Sequence, residues 1–137
     1  MTKMLGLDFG LKRTGLALTD DACIIASPLV TVNSAELHIY LEDLFSKEQI
    51  SDIVIGMPKG LDGLDTDITS NVRELEQFLR KRYPDKKTHF IDERFTSRLA
   101  ARSLLHGGAK RSQRRQKANL DKVSAAIILQ DFLDYRR

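Results

Sequence analysis

Three places in the chain carry carboxylates where an apolar setting makes them costly. Asp8 lies inside the run Met4-Leu5-Gly6-Leu7-Asp8-Phe9 and is followed by Gly10. A carboxylate there must be paired, bind a metal or cap the following turn. Asp92 and Glu93 close a second apolar run that begins at Thr88. Strand alternation sends them to opposite faces, so one of the two reaches a site formed there, while Asp92 could instead pair with Arg94 or cap the next helix. Asp121 is followed at +4, +7, +11 and +14 by Ala125, Ile128, Phe132 and Tyr135. It therefore shares the buried stripe of an amphipathic helix, although a first-turn Asp also serves the helix dipole. Hard oxygen ligands from separate elements suit Mg2+ or Mn2+ rather than Zn2+, and His38, His89 and His106 lack ligand-like spacing. Two such ions about 4 Å apart can activate water against a phosphodiester and stabilise its leaving oxygen.

Clustered carboxylates repel each other and repel nucleic acid, so such a site needs cations close by. The net charge of +3 is unevenly spread: eleven Lys/Arg face three Asp/Glu from Arg94 onward, and eleven face sixteen before it. The densest stretch is Lys110-Arg111-Ser112-Gln113-Arg114-Arg115-Gln116-Lys117. A basic patch on a near-neutral body fits a polyanionic partner, with a solvated loop or helix face as the plain alternative. Lys110, Arg111, Arg114 and Arg115 are the candidate backbone contacts in it. Lys12 and Arg13 occupy the turn after the first apolar run, within reach of a phosphate. Arg94 could steady the acidic cluster or meet the substrate. Thr96 and Ser97 open a helix, where free backbone N–H groups suit phosphate. Gly6 and Gly10 flank Asp8 and serve either close approach of a phosphate or turn geometry. Phe9 and Phe95 are nearest the site and read as core more than as base-stacking platforms.

The elements that must position these residues follow from periodicity. Residues 4–9, 14–19 and 24–32 read as three strands joined by short turns, an antiparallel meander. Ser34 is placed to cap a helix carrying Leu37, Tyr40, Leu41 and Leu44. Residues 52–57 form a fourth strand ended by Pro58, and 59–63 a loop. Ile68, Val72, Leu75 and Leu79 mark a second helix stopped near Pro84. Residues 88–92 form a fifth strand. A short helix from Thr96 to Gly107-Gly108, a basic loop and a final helix from about Asn119 to Tyr135 complete the order. This predicts an α/β fold: a mixed five-stranded sheet, three strands antiparallel and two reached by parallel crossovers, with helices on both faces. Sites in such sheets form beyond the strands' C-terminal ends, where strand order reverses.

The 137 residues fit a single domain, 1–137, with 42% apolar and 30% charged residues. No window supplies the roughly 20 apolar residues of a membrane span, and the start does not read as a signal peptide. A lone cysteine, Cys23, suggests a reducing cytoplasm and reads as a small core residue.

Four runs stand in register along nearly the whole chain. They are Leu5-Gly6-Leu7-Asp8-Phe9-Gly10 with Lys12-Arg13-Thr14-Gly15, and Val54-Ile55-Gly56-Met57-Pro58 with Gly63. Asp92-Glu93-Arg94-Phe95-Thr96-Ser97 with Ala100 follows, and then Asp121-Lys122 with Ala125-Ala126. In them the sequence strongly resembles the YqgF/RuvX family, predicted nucleases of the ribonuclease H-like fold related to Holliday-junction resolvases. The resemblance implies Asp8, Glu93 and Asp121 as a metal-holding catalytic triad, selecting Glu93 over Asp92. It implies hydrolysis at the 5′ end of pre-16S rRNA, with branched DNA as an alternative substrate that rests on fold analogy. A homodimer stays open. Two other readings remain to be weighed: a sugar-kinase or actin-like ATPase fragment, which would need a second lobe, and a nucleic-acid-binding module without catalysis.

Overall fold

In the computed structural model, residues 2–58, 68–92 and 113–136 are described, the stretch 113–119 by its backbone alone. β1 (Lys3–Phe9) runs through the middle of a five-stranded sheet, and Met4, Leu5, Leu7 and Asp8 along it are all buried. β2 (Arg13–Thr19) pairs with it antiparallel, and β3 (Ala26–Asn33) pairs antiparallel with β2. β4 (Ile50–Met57) and β5 (Lys87–Asp92) add in parallel on the other side, giving the order β3-β2-β1-β4-β5. The mixed sheet expected from the sequence is the one observed.

Side chains alternate across this sheet. Leu5, Leu7, Leu16, Ile53, Ile55 and Met57 pack against α1 (Leu37–Lys47) and α2 (Thr69–Arg82). Those helices contribute Leu37, Leu41 and Leu44, and Val72 and Leu79, at helical spacing. Met4, Ala17 and Val54 face the other way, where α3 (Gln113–Tyr135) lays down Ala125, Ala126, Ile128, Leu129 and Leu133. Among the described residues no helix is long and apolar enough to cross a membrane.

Several expectations need correction. β3 begins at Ala26, because Asp20 Oδ1 accepts the N–H groups of Ile24 (2.8 Å) and Ile25 (3.0 Å) and holds that stretch as a turn. Cys23 lies in that turn at φ 55°, its thiol donating to the Thr2 carbonyl; the expected small core residue is half-buried and packs at the edge of the α3-side core. Ser34 opens a 3-10 turn (Ser34–Glu36) ahead of α1, and its hydroxyl bonds elsewhere instead of capping. α3 starts at Gln113, taking in five of the eight residues of the run read as a basic loop. Arg, Gln and Lys are strong helix formers, and neither Gly nor Pro interrupts 113–135. Tyr135, assigned to the buried stripe, is 90% exposed at the helix end. The short helix expected from Thr96 lies outside the described residues.

Candidate metal and nucleic-acid site

Asp8 stands near the C-terminal end of the central strand and is only 5% exposed. Alternation from Met4 through Gly6 puts it on the α3 side. Its register partner on β2 is Gly15. A Cβ on Gly15 would lie 1.9 Å from the Asp121 carbonyl oxygen and 2.7 Å from the Lys122 nitrogen. The backbone of α3 therefore rests directly on β2 at the residue paired with Asp8, which seats the backbone of Asp121 over a position that only glycine can fill. Gly6 works in the same way. A Cβ there would meet Leu129 Cβ at 2.8 Å and the Ala125 carbonyl at 2.9 Å, so its approach serves α3 and not a phosphate. Gly10 is needed by the hairpin, where a Cβ would come within 2.5 Å of the Arg13 carbonyl.

Asp121, its side chain 19% exposed, accepts a hydrogen bond from Arg13 Nε at 3.1 Å. The repulsion expected between Asp8 and Asp121 thus has a cation beside it, and Arg13 has a carboxylate partner as well as access to solvent. Lys12, next to it in the β1–β2 hairpin, is exposed. The hairpin is tied down by a residue that the sequence did not reveal. Ser34 donates its backbone N–H to the Lys12 carbonyl (2.9 Å) and its hydroxyl to the Gly10 carbonyl (2.5 Å), and shares a hydrogen bond with Thr14 Oγ1 (2.8 Å). No periodicity or motif links positions 14 and 34, so only the fold exposes this tether.

On β5, Ile91 packs with the α3-side core, which leaves Asp92 on the α2 side, opposite Met57. Asp92 is therefore on the other face from Asp8. Glu93, Arg94, Thr96, Lys110 and Arg111 lie outside the described residues. Arg114 and Arg115 belong to the turns of α3 that lead to Asp121. Among the described residues no three His, Cys, Asp or Glu side chains converge as a metal site; Asp8 and Asp121 are two of the three expected ligands. As a donor set they are hard oxygens. The sulfur of Cys23 contacts Thr2 and Thr19 at the opposite end of β1 and β2, and His89 pairs with Asp52 (2.7 Å). Such a set fits Mg2+ or Mn2+.

A family model described as "RuvX: Holliday junction resolvase" matches residues 2–135. A protein of Christiangramia forsetii is 41% identical over 133 residues, spanning 97% of this chain and 98% of its own length. One of Amoebophilus asiaticus is 43% identical over 138 residues, spanning 100% and 98%. Both carry the name "Putative pre-16S rRNA nuclease". Among solved structures, T. thermophilus RuvC in complex with Holliday junction substrate superposes with a TM-score of 0.62 at 14% identity, covering 99% of this chain and 96% of that one. At that identity the likeness is one of fold, and the fold is the ribonuclease H-like arrangement expected from the sequence.

Proposed function

The chain belongs to the RuvX family, and from that premise we propose that it is a single-domain nuclease in which Asp8, Glu93 and Asp121 hold Mg2+ or Mn2+ for phosphodiester hydrolysis. The observation that carries the reading is the seat of the Asp121 backbone on Gly15, the register partner of Asp8. That contact, tight enough to exclude any side chain, seats the Asp121 segment of α3 against the β2 residue paired with Asp8, on the face of the sheet that Asp8 shares, and it supports the two carboxylates as ligands of one site. Asp92 on the α2 side of the sheet supports Glu93 as the third ligand. A pair of divalent cations held there would supply activation of water and neutralisation of charge at the scissile phosphate.

The chain's own residues do the rest. Asp8 is fixed by its strand, and Asp121 by the seat of α3 on β2. Lys12 and Arg13, on a hairpin tethered through Ser34, are placed to meet a phosphate at the rim of the site, with Arg94 and Thr96 as further contacts. Lys110, Arg111, Arg114 and Arg115 supply sequence-independent attraction along the backbone of the nucleic acid. The names of the relatives support pre-16S rRNA as the substrate; trimming at its 5′ end, in ribosome biogenesis in the cytoplasm, is the role that we assign to the chain. The family's description supports branched DNA as the second reading.

The deciding experiment compares cleavage of a pre-16S rRNA 5′ leader and a four-way DNA junction by the parent and by Asp8→Asn, each with Mg2+ and with Mn2+. The leader should be cut and the junction spared, and Asp8→Asn should abolish cutting while remaining folded. Equal turnover by the folded variant would overturn the metal site. Junction cleavage alone would replace the substrate, and binding without any cleavage would leave a nucleic-acid-binding module.

A further inference from the structure

Asp121 already has a cation. Arg13 Nε sits 3.1 Å from Asp121 Oδ2, and the two ends of Arg13 are held very differently. Its backbone is fixed: Arg13 pairs with Asn33 in the sheet, the Lys12 carbonyl before it accepts the Ser34 N–H, and Ser34 also grips Gly10 and Thr14. Its side chain is 36% exposed. The guanidinium can therefore leave Asp121 through side-chain rotation alone, without cost to the hairpin or the sheet. Resting on the metal-site reading above, we propose that Arg13 is the resident counter-ion of Asp121 in the metal-free protein and that a divalent cation binding at Asp8 and Asp121 must displace it.

The physical basis is competition for one carboxylate. With no metal bound, the guanidinium on Asp121 offsets part of the negative charge that the carboxylates of the proposed site gather. With a dication in place, the same guanidinium is a like charge within a few ångströms, and it is repelled even at the effective dielectric of a protein surface. By linkage, whatever factor Arg13 takes from the metal's affinity, the metal takes from Arg13's hold on Asp121. This order of events reconciles the carboxylate contact of Arg13 with its assignment to substrate phosphate.

The test is calorimetric titration of the metal-free full chain with Mn2+ alone, for the parent, Arg13→Gln, Arg13→Lys, Asp121→Asn and Arg13→Gln/Asp121→Asn, each first shown to be folded by urea unfolding. Arg13→Gln should bind Mn2+ about three- to tenfold more tightly, since a partly exposed ion pair and a like charge are both removed. Arg13→Lys keeps the charge and should stay near the parent. In the Asp121→Asn background the gain from Arg13→Gln should shrink to the part that the like charge alone contributes; an undiminished gain would mean that Arg13 does not act through Asp121 and overturns the proposal. A residue that merely supports the site would show the opposite sign, so equal or weaker Mn2+ binding by folded Arg13→Gln overturns the proposal while leaving the metal site standing. A parent isotherm unaffected by Asp121→Asn overturns the metal-site reading itself, and this inference with it.

Discussion

Toward α1 and α2 the sheet presents Leu5, Leu7, Leu16, Ile53, Ile55 and Met57; toward α3 it presents Met4, Gly6, Asp8, Gly15, Ala17 and Val54. The first face is filled by volume. Its helices are held off the sheet by large aliphatic side chains, which can repack when one is altered. On the second face α3 sits directly on the strand backbone at Gly6 and Gly15, and the contact at Gly15 fixes where the Asp121 backbone lies. One face thus carries cohesion, and the other carries the geometry of the proposed site. Substitutions should separate the two.

The largest effect is expected at Gly15. In Gly15→Ala the new methyl would meet the Asp121 carbonyl at 1.9 Å, so the helix must move. Overpacking of this kind costs about 1–3 kcal/mol, and a displacement of about 1 Å at a catalytic group can cost about 100-fold in rate. Cleavage per folded molecule and the Mn2+-induced shift in unfolding midpoint should both collapse. Retention of both would mean that α3 does not position Asp121. Leu41→Ala is the counterpart on the other face: fully buried, it should lose about 2–5 kcal/mol in urea unfolding. Cleavage per folded molecule should be unchanged, and a parallel loss of activity would erase the division between the faces. Gly6→Ala lies between them. Its clash with Leu129 and Ala125 comes one turn or more beyond Asp121 along α3. It should destabilise by about 1–3 kcal/mol and slow cleavage less than Gly15→Ala does. The ranking is read by assaying both variants at equal folded fraction.

The same division explains what could be read in advance. Strand positions, their order and the two helix stripes follow from period 2 and period 3.6, which the leucine-filled face displays openly: Leu37, Leu41, Leu44, Val72 and Leu79 were all expected in the core. Asp8 and Asp121 were legible as misplaced charges in apolar patterns. The glycine contacts were not, because a missing side chain says nothing about what occupies its space until α3 is docked. The Arg13–Asp121 pair spans 108 positions and Thr14–Ser34 spans 20, beyond any local pattern. α3 begins ahead of the expected Asn119 because intrinsic helix preference prevails over like-charge repulsion in a run whose charges alone suggest a loop.

The smallest expected effect sharpens the comparison at the far end of the α3 side. Asp52 precedes Ile53 on β4 and so shares the α3 face with Val54; it bonds His89 at 2.7 Å and Ser51 at 2.6 Å, and the His89 ring lies 4.9 Å from that of Phe132 on α3. Burial pushes the Asp52 carboxyl up, but the hydrogen bonds from Ser51 and His89, with the charges of His89 and Arg136, outweigh it and hold the group below its ordinary value. A carboxyl lowered in the folded state adds stability above its unfolded value of about 3.9, and that stability is lost as pH falls through the lower folded value. Urea midpoints of parent and Asp52→Asn, followed from neutral pH downward, should therefore converge on the acid side: the parent loses the contribution of Asp52, and the variant has none to lose. The gap at neutral pH should be within the range of about 0.2–1 kcal/mol of a partly exposed pair. The Mn2+-induced shift should be the same in both proteins, because Asp52 and His89 lie away from Asp8 and Asp121. Parallel acid limbs would mean that the pair is incidental to stability. An altered Mn2+ response would mean that the two ends of the α3 face are coupled, and that the site depends on the whole seat of the helix and not on Gly15 alone.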